Sequence, residues 1–261
     1  MQRRSAAPMG LVAGIAAVGA LVISTPAHGQ TPATTPRFEL ELEAGPVWQS
    51  RNVAQIPNDE SGTRYSLAAV VGKGPWPAAR AYLTWNVKER HALRLLHAPL
   101  SIRATGTLPG PVVFAGAGYP PGVPVEAEYT FNSYRLTYRY RFREAARTSA
   151  WVGFTAKVRD ATIALEQGAT SSRKDDLGFV PLLHLAGEWR MTERWFATLD
   201  ADALAGGPGR AEDVAVKVGY RLTPALSVHA GYRMVEGGAD VPETYSFAWL
   251  HFAVAAVRSR F

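Results

Sequence analysis

The 261-residue chain reads as an all-β protein: an up-and-down antiparallel transmembrane β-barrel of ten strands, with twelve as the alternative count. Three observations predict this. Apolar and polar residues alternate with a period of two along most of the chain, most clearly in Tyr134-Arg135-Leu136-Thr137-Tyr138-Arg139-Tyr140-Arg141-Phe142. The segments between alternating runs are short and long by turns. The aromatic residues gather at the ends of the runs, and the middles carry Leu, Val and Ala.

Composition bounds the answer before any motif does. Hydrophobic residues at 47% exclude a disordered chain, and charged residues at 19% fall below the usual quarter. No internal segment holds the ~20 apolar residues a membrane helix needs. The run Met9–Ser24, after the basic Arg3 and Arg4 and before Pro26, has the form of a cleaved secretory signal peptide. Cleavage after Ala27 and after Gly29 fits equally well. The domain plan is therefore a signal at 1–29, a flexible leader at 30–36, and a single barrel domain at 37–261. Loss of Arg3 and Arg4 lowers the formal charge from +6 to +4, too mild and dispersed to point to nucleic acid. Without cysteine there is no disulfide framework.

Ten runs follow in order. In the first, Phe38, Leu40, Leu42 and Ala44 oppose Glu39, Glu41 and Glu43. Residues 50–77 read as one long outer loop with room for a short hairpin or helical turn; two strands hidden there would make twelve. In 79–87, Ala81, Leu83, Trp85 and Val87 oppose Arg80, Thr84 and Asn86. Residues 92–103 are extended but apolar on both sides. Residues 104–123 are rich in Gly and Pro, a loop composition. The runs 124–142 and 150–166 come next, with an expected slip of phase, and hence a bulge, near Asp160. Runs at 178–190, 195–204, 214–221, 226–235 and 244–257 complete the set.

Short connections at 88–90, 143–149, 191–194 and 222–225 alternate with long ones at 104–123, 167–177, 205–213 and 236–243. Tight turns at one end and long loops at the other are the asymmetry of a membrane barrel. With both termini at the short-turn end, the strand count is even. Trp85, Tyr140, Phe142, Trp151, Trp189, Trp195 and Tyr220 lie near the short turns; Trp48, Phe131, Phe179, Tyr232 and Tyr245 lie near the long loops. Two such bands match the aromatic girdles of a bilayer.

With these features in view, and with its terminal Phe261, the chain resembles the Gram-negative outer-membrane β-barrel proteins. The stretches Phe131–Arg139, Gly178–His184 and Gly207–Asp213 are similar to segments of such bacterial sequences. The resemblance implies outer-membrane localisation, outer-membrane lipid and the barrel-assembly machinery as partners, and a monomer. It transfers no catalytic residue and no cofactor.

The polar faces give the candidate site. Folding the short turns in register sets Arg135 beside Lys157 and Ser133 beside Arg159, like charges that need an acidic answer. Glu39, Glu41 and Glu43 are the expected acids. His184 falls opposite Asp202, Glu188 opposite Thr198, Asp200 opposite Lys217, and His229 opposite Gly219. Arg210, Glu212 and Asp213 are expected to pair with one another or with Arg233 and Glu236. Three functions fit: a structural barrel or narrow pore with an ion-paired lumen; an anion-preferring small-solute channel lined by Arg135, Arg139, Lys157, Arg159, Lys217 and Arg233; and an enzyme acting on lipid A or external peptides, with His184 and Asp202 as an acid/base dyad. Gly206-Gly207-Pro208-Gly209-Arg210 lacks the Lys-Ser/Thr ending of a phosphate loop, and the six His lack metal-ligand spacing.

Overall fold

A computed structural model describes residues 36–261. The expected signal peptide, and all but the last residue of the leader, lie outside the described residues. Strand β1 (Phe38–Gln55) leads to a two-residue β2 (Tyr65–Ser66) and a single helical turn α1 (Leu67–Val71). Then come β3 (Trp76–Lys88), β4 (His91–Ala98) and β5 (Ser101–Thr107), a small hairpin of β6 (Val112–Phe114) and β7 (Ala117–Tyr119), β8 (Pro124–Glu144) and β9 (Thr148–Gln167). The chain finishes with β10 (Thr170–Arg190), β11 (Trp195–Gly206), β12 (Gly209–Arg221), β13 (Leu226–Val241) and β14 (Thr244–Arg260).

The wall strands pair antiparallel in the order β1-β3-β4-β8-β9-β10-β11-β12-β13-β14, and β14 pairs with β1, so the sheet closes on itself, while β6 and β7 pair only with each other. β4 and β5 are two parts of one long strand, both paired to β8. The barrel has ten strands. β2 adds to the outer end of β1 without entering the wall as a spanning strand.

Alternation separates the two faces as the sequence predicts. Leu42, Leu95, Leu136, Phe154, Leu185 and Val216 stand exposed on the outer surface. Such a contiguous apolar belt has no place in water and suits hydrocarbon. Phe261 closes the belt at its inner rim. Its N–H donates to the Phe38 carbonyl, the Phe38 N–H donates back, and the two rings stack at 6.1 Å.

Several expectations need correction. The segments 167–177, 205–213 and 236–243 are not loops but the continuing ends of paired strands, closed by turns at Gly168, Gly207-Pro208 and Pro242-Glu243. Above the lipid neither face of a hairpin must be apolar. The ladder goes on with polar residues on both sides, braced by contacts such as Arg173 to Asp175 at 2.8 Å and Thr162 to Asp175 at 2.6 Å. The polar composition therefore marks exit from the membrane, not loss of the strand.

No bulge occurs near Asp160, for β9 keeps one register with β8 through that point. What changes there is the content of the barrel: inward Lys157 and Arg159 give way to inward Ala161, Ile163 and Leu165. The irregularities lie elsewhere, at Gln49/Arg51, Asn86/Lys88 and Arg141/Arg143. The first flips the parity of β1. Glu41, Glu43, Val47 and Gln49 are buried below it, Asn52, Ala54 and Ile56 above it. Among the aromatics assigned to the girdles, Phe131 packs inward against the core, and Trp151 lies beneath the Arg139 guanidinium at 4.9 Å.

Candidate functional site

The lumen is filled in two layers. The inner one is a layer of ion pairs, most of them linked into one network, built because strands from opposite walls point charged side chains at a shared axis. Glu43 accepts from Arg233 (2.9 Å) and Lys217 (3.0 Å). Lys217 also reaches Glu41, which accepts from Arg258 at 2.7 Å. Glu39 accepts from Arg260 at 2.9 Å. Asp213 is the hub: Arg80 (2.9 Å), Arg135 (2.7 Å) and Arg233 all donate to it. Asp200 takes a two-pronged contact from Arg94 at 2.5 and 3.1 Å. Glu188 lies near Arg258, Arg260 and Arg190 at 3.7–3.9 Å, a looser contact.

The structure sets Arg135 opposite Lys157, Ser133 opposite Arg159, His184 opposite Asp202, Glu188 opposite Thr198 and His229 opposite Gly219. Asp200 does not oppose Lys217. Its neighbour is Ala215, and Thr198 stands opposite Lys217. The acids answering the β8 and β9 cations also differ from expectation. Arg135 is held by Asp202 and Asp213, and Arg159 by Asp176, while Glu39, Glu41 and Glu43 serve β12, β13 and β14. Arg210 pairs with Glu236 at 2.6 Å and Asp213 with Arg233, as the sequence suggested for that end of the chain. Arg80, Arg94 and Arg258 were not among the candidate residues. Arg80 lies on the polar side of an alternating run and is legible there, whereas Arg94 sits in a segment apolar on both faces and Arg258 follows the inward apolar row Leu250, Phe252, Val254 and Ala256.

His184 and Asp202 meet at 2.8 Å. Asp202 also accepts from Arg135 (2.8 Å) and from the Thr155 hydroxyl (2.8 Å), so its oxygens are committed. Both side chains are shut off from solvent. His184 Nε2 has no partner among the described residues.

The outer layer is apolar. Here α1, capped by Ser66 accepting from the Ala69 N–H at 3.2 Å, tucks into the mouth. Its Leu67 and Val70 pack with Val47, Leu100, Ile102 and Phe114 from β1, the β4–β5 strand and the small hairpin. This explains why 92–103 reads as apolar on both sides: its outward face meets lipid, while inward Leu100 and Ile102 meet the plug and Leu96 and Ala98 pack with Tyr82. Gly106 lets the helix approach, since a Cβ there would lie 1.8 Å from the Val70 carbonyl oxygen. Tyr65 is buried under the hairpin edge-on to Phe114, and that burial pushes its phenol pKa up.

No protein-family model and no curated protein sequence matches this chain. Solved structures do resemble it in fold. The outer-membrane protease OmpT of Escherichia coli aligns over 86% of this chain and 96% of its own, at 10% identity and a TM-score of 0.51. The translocator domain of the autotransporter NalP from Neisseria meningitidis aligns over 88% and 90%, at 11% identity and a TM-score of 0.48. The outer-membrane protein AlkL aligns over 91% and 98%, at 11% identity and a TM-score of 0.38. The likeness is one of fold, that of the Gram-negative outer-membrane β-barrels, and the apolar belt suits a barrel set in a membrane.

Proposed function

We propose that this protein is a closed outer-membrane barrel with a structural role, not a pore for free diffusion along its axis. The supporting observation is the double seal: a plug of α1 and the β6–β7 hairpin over a layer of mutually neutralised charges. An anion path needs a row of unanswered cations. Of the six that would line it, Arg135, Arg159, Lys217 and Arg233 each have a carboxylate partner, leaving Arg139 and Lys157. The enzyme reading draws less support, because the His184–Asp202 pair is buried away from solvent and both Asp202 oxygens are already engaged.

Purified, refolded protein in a planar bilayer is expected to give no steady conductance above that of protein-free membrane. A stable anion-selective current would overturn the closed reading. An altered lipid A profile, or peptidase activity dependent on His184, would restore the enzyme.

A further inference from the structure

One part of the barrel wall is not hydrogen-bonded shut. The ladder between β10 and β11 ends at Leu183 and Ala203, yet β10 runs on outward to Thr170, paired there with β9 alone. Pro181, just past the end of that ladder, has no N–H with which to extend it. β11 meanwhile turns away at Gly207-Pro208 into β12. The result is a seam between Thr170–Leu182 and the tip of the β11–β12 hairpin. On its outer face β10 is still apolar at Phe179 and at Leu177, which is 75% exposed, so the seam begins at the outer rim of the lipid belt. At that depth an unpaired strand edge is tolerated where it lines a cavity.

It does line one. A cavity of about 450 Å³ lies behind the seam, within the range of small-molecule pockets, ~300–1,000 Å³. Phe131, Ile163, Val180, Leu204, Val235 and Leu250 are among its walls. Six charged side chains also reach it, and four cancel in pairs, Arg159 with Asp176 and Arg210 with Glu236. Lys157 and Lys174 have no carboxylate within ion-pair distance among the described residues. Lys157 is 3% exposed, its ammonium 4.7 Å from the centre of the Phe131 ring. A buried ammonium answered only by an aromatic face is costly, and an anion in the cavity would remove that cost.

We propose that this cavity binds a single-chain anionic amphiphile. Its head group sits on Lys157, its chain lies along the apolar wall, and it enters sideways from the outer leaflet through the β10–β11 seam. The axial lumen stays shut throughout, so the conductance result above and this one are independent.

The test is calorimetric titration of the refolded protein in phosphatidylcholine nanodiscs with dodecanoate, dodecyl phosphate and 1-dodecanol, against empty nanodiscs. Both anions are expected to bind saturably and the alcohol at least tenfold more weakly. A carboxylate-only or phosphate-only result assigns the head group within the same proposal. Lys157→Met should weaken dodecanoate binding at least tenfold and leave dodecanol unchanged. Leu204→Trp, which fills the cavity and spares the charge, should abolish binding of all three. Retention of the heat-modifiable band checks that each variant has folded. Dodecanoate binding unchanged in either folded variant, or no saturable binding by the parent, overturns the proposal. If Lys157→Met fails to refold, Leu204→Trp decides alone.

Discussion

Asp213→Asn should destabilise the refolded barrel by about 3–5 kcal/mol, the usual cost of removing one partner from a buried ion pair. Asp213 gathers three guanidiniums that are themselves almost wholly buried. Arg135 would keep Asp202 and Arg233 would keep Glu43, but Arg80 has no other carboxylate within ion-pair distance among the described residues. The amide keeps the shape and loses the charge, so the loss is electrostatic and not one of packing. Urea unfolding of the protein in lipid vesicles, followed by tryptophan fluorescence, measures it. Asp240→Asn is the control: it alters only the exposed contact with Asn58 and should shift stability by no more than ~0.5 kcal/mol. Similar shifts for both variants would mean the inner network contributes little.

Gly106→Val should expel the plug helix while leaving the barrel closed. The new Cβ would fall 1.8 Å from the Val70 carbonyl oxygen, and that neighbour is backbone, so α1 must move as a unit. Overpacking costs ~1–3 kcal/mol, and exposing Leu67 forfeits a further ~1.5–3 kcal/mol of burial. Together these are enough to undock a single turn. The expected readout is protease cleavage between Ile56 and Trp76 on a barrel that still shows heat-modifiable migration. Gly110→Val, with open space around its Cβ, should stay resistant. Equal resistance in the two variants would show that the helix is not held by this approach.

Much of this molecule is legible in the residues. The Tyr134–Phe142 alternation sets Tyr134, Leu136 and Tyr138 outward and Arg135 and Thr137 inward. Tight turns such as Met191–Arg194 carry register across a hairpin, which is why His184 falls on Asp202. Register failed where a connection was misread. Taking 205–213 as a loop, in place of a turn at Gly207-Pro208, displaced Lys217 by two residues and wrongly gave it Asp200. The two-residue error preserved which face each residue occupies and lost only its neighbour. At Asp160 a change of interior from charged to apolar looked like a change of backbone phase. Nothing local distinguishes the two, because both put an apolar residue where a polar one was expected.

The residues alone therefore determine the period of two, the two aromatic bands, the even strand count and the lipid-facing set, since each follows from near neighbours in the chain and the two environments a strand separates. Only the tertiary structure decides which acid answers which base, that α1 folds inward to shut the mouth, and that β10 outruns β11 to leave a seam beside Lys157. Those outcomes depend on contacts across the barrel. Such contacts are set by strand stagger and closure, quantities no short stretch of sequence carries.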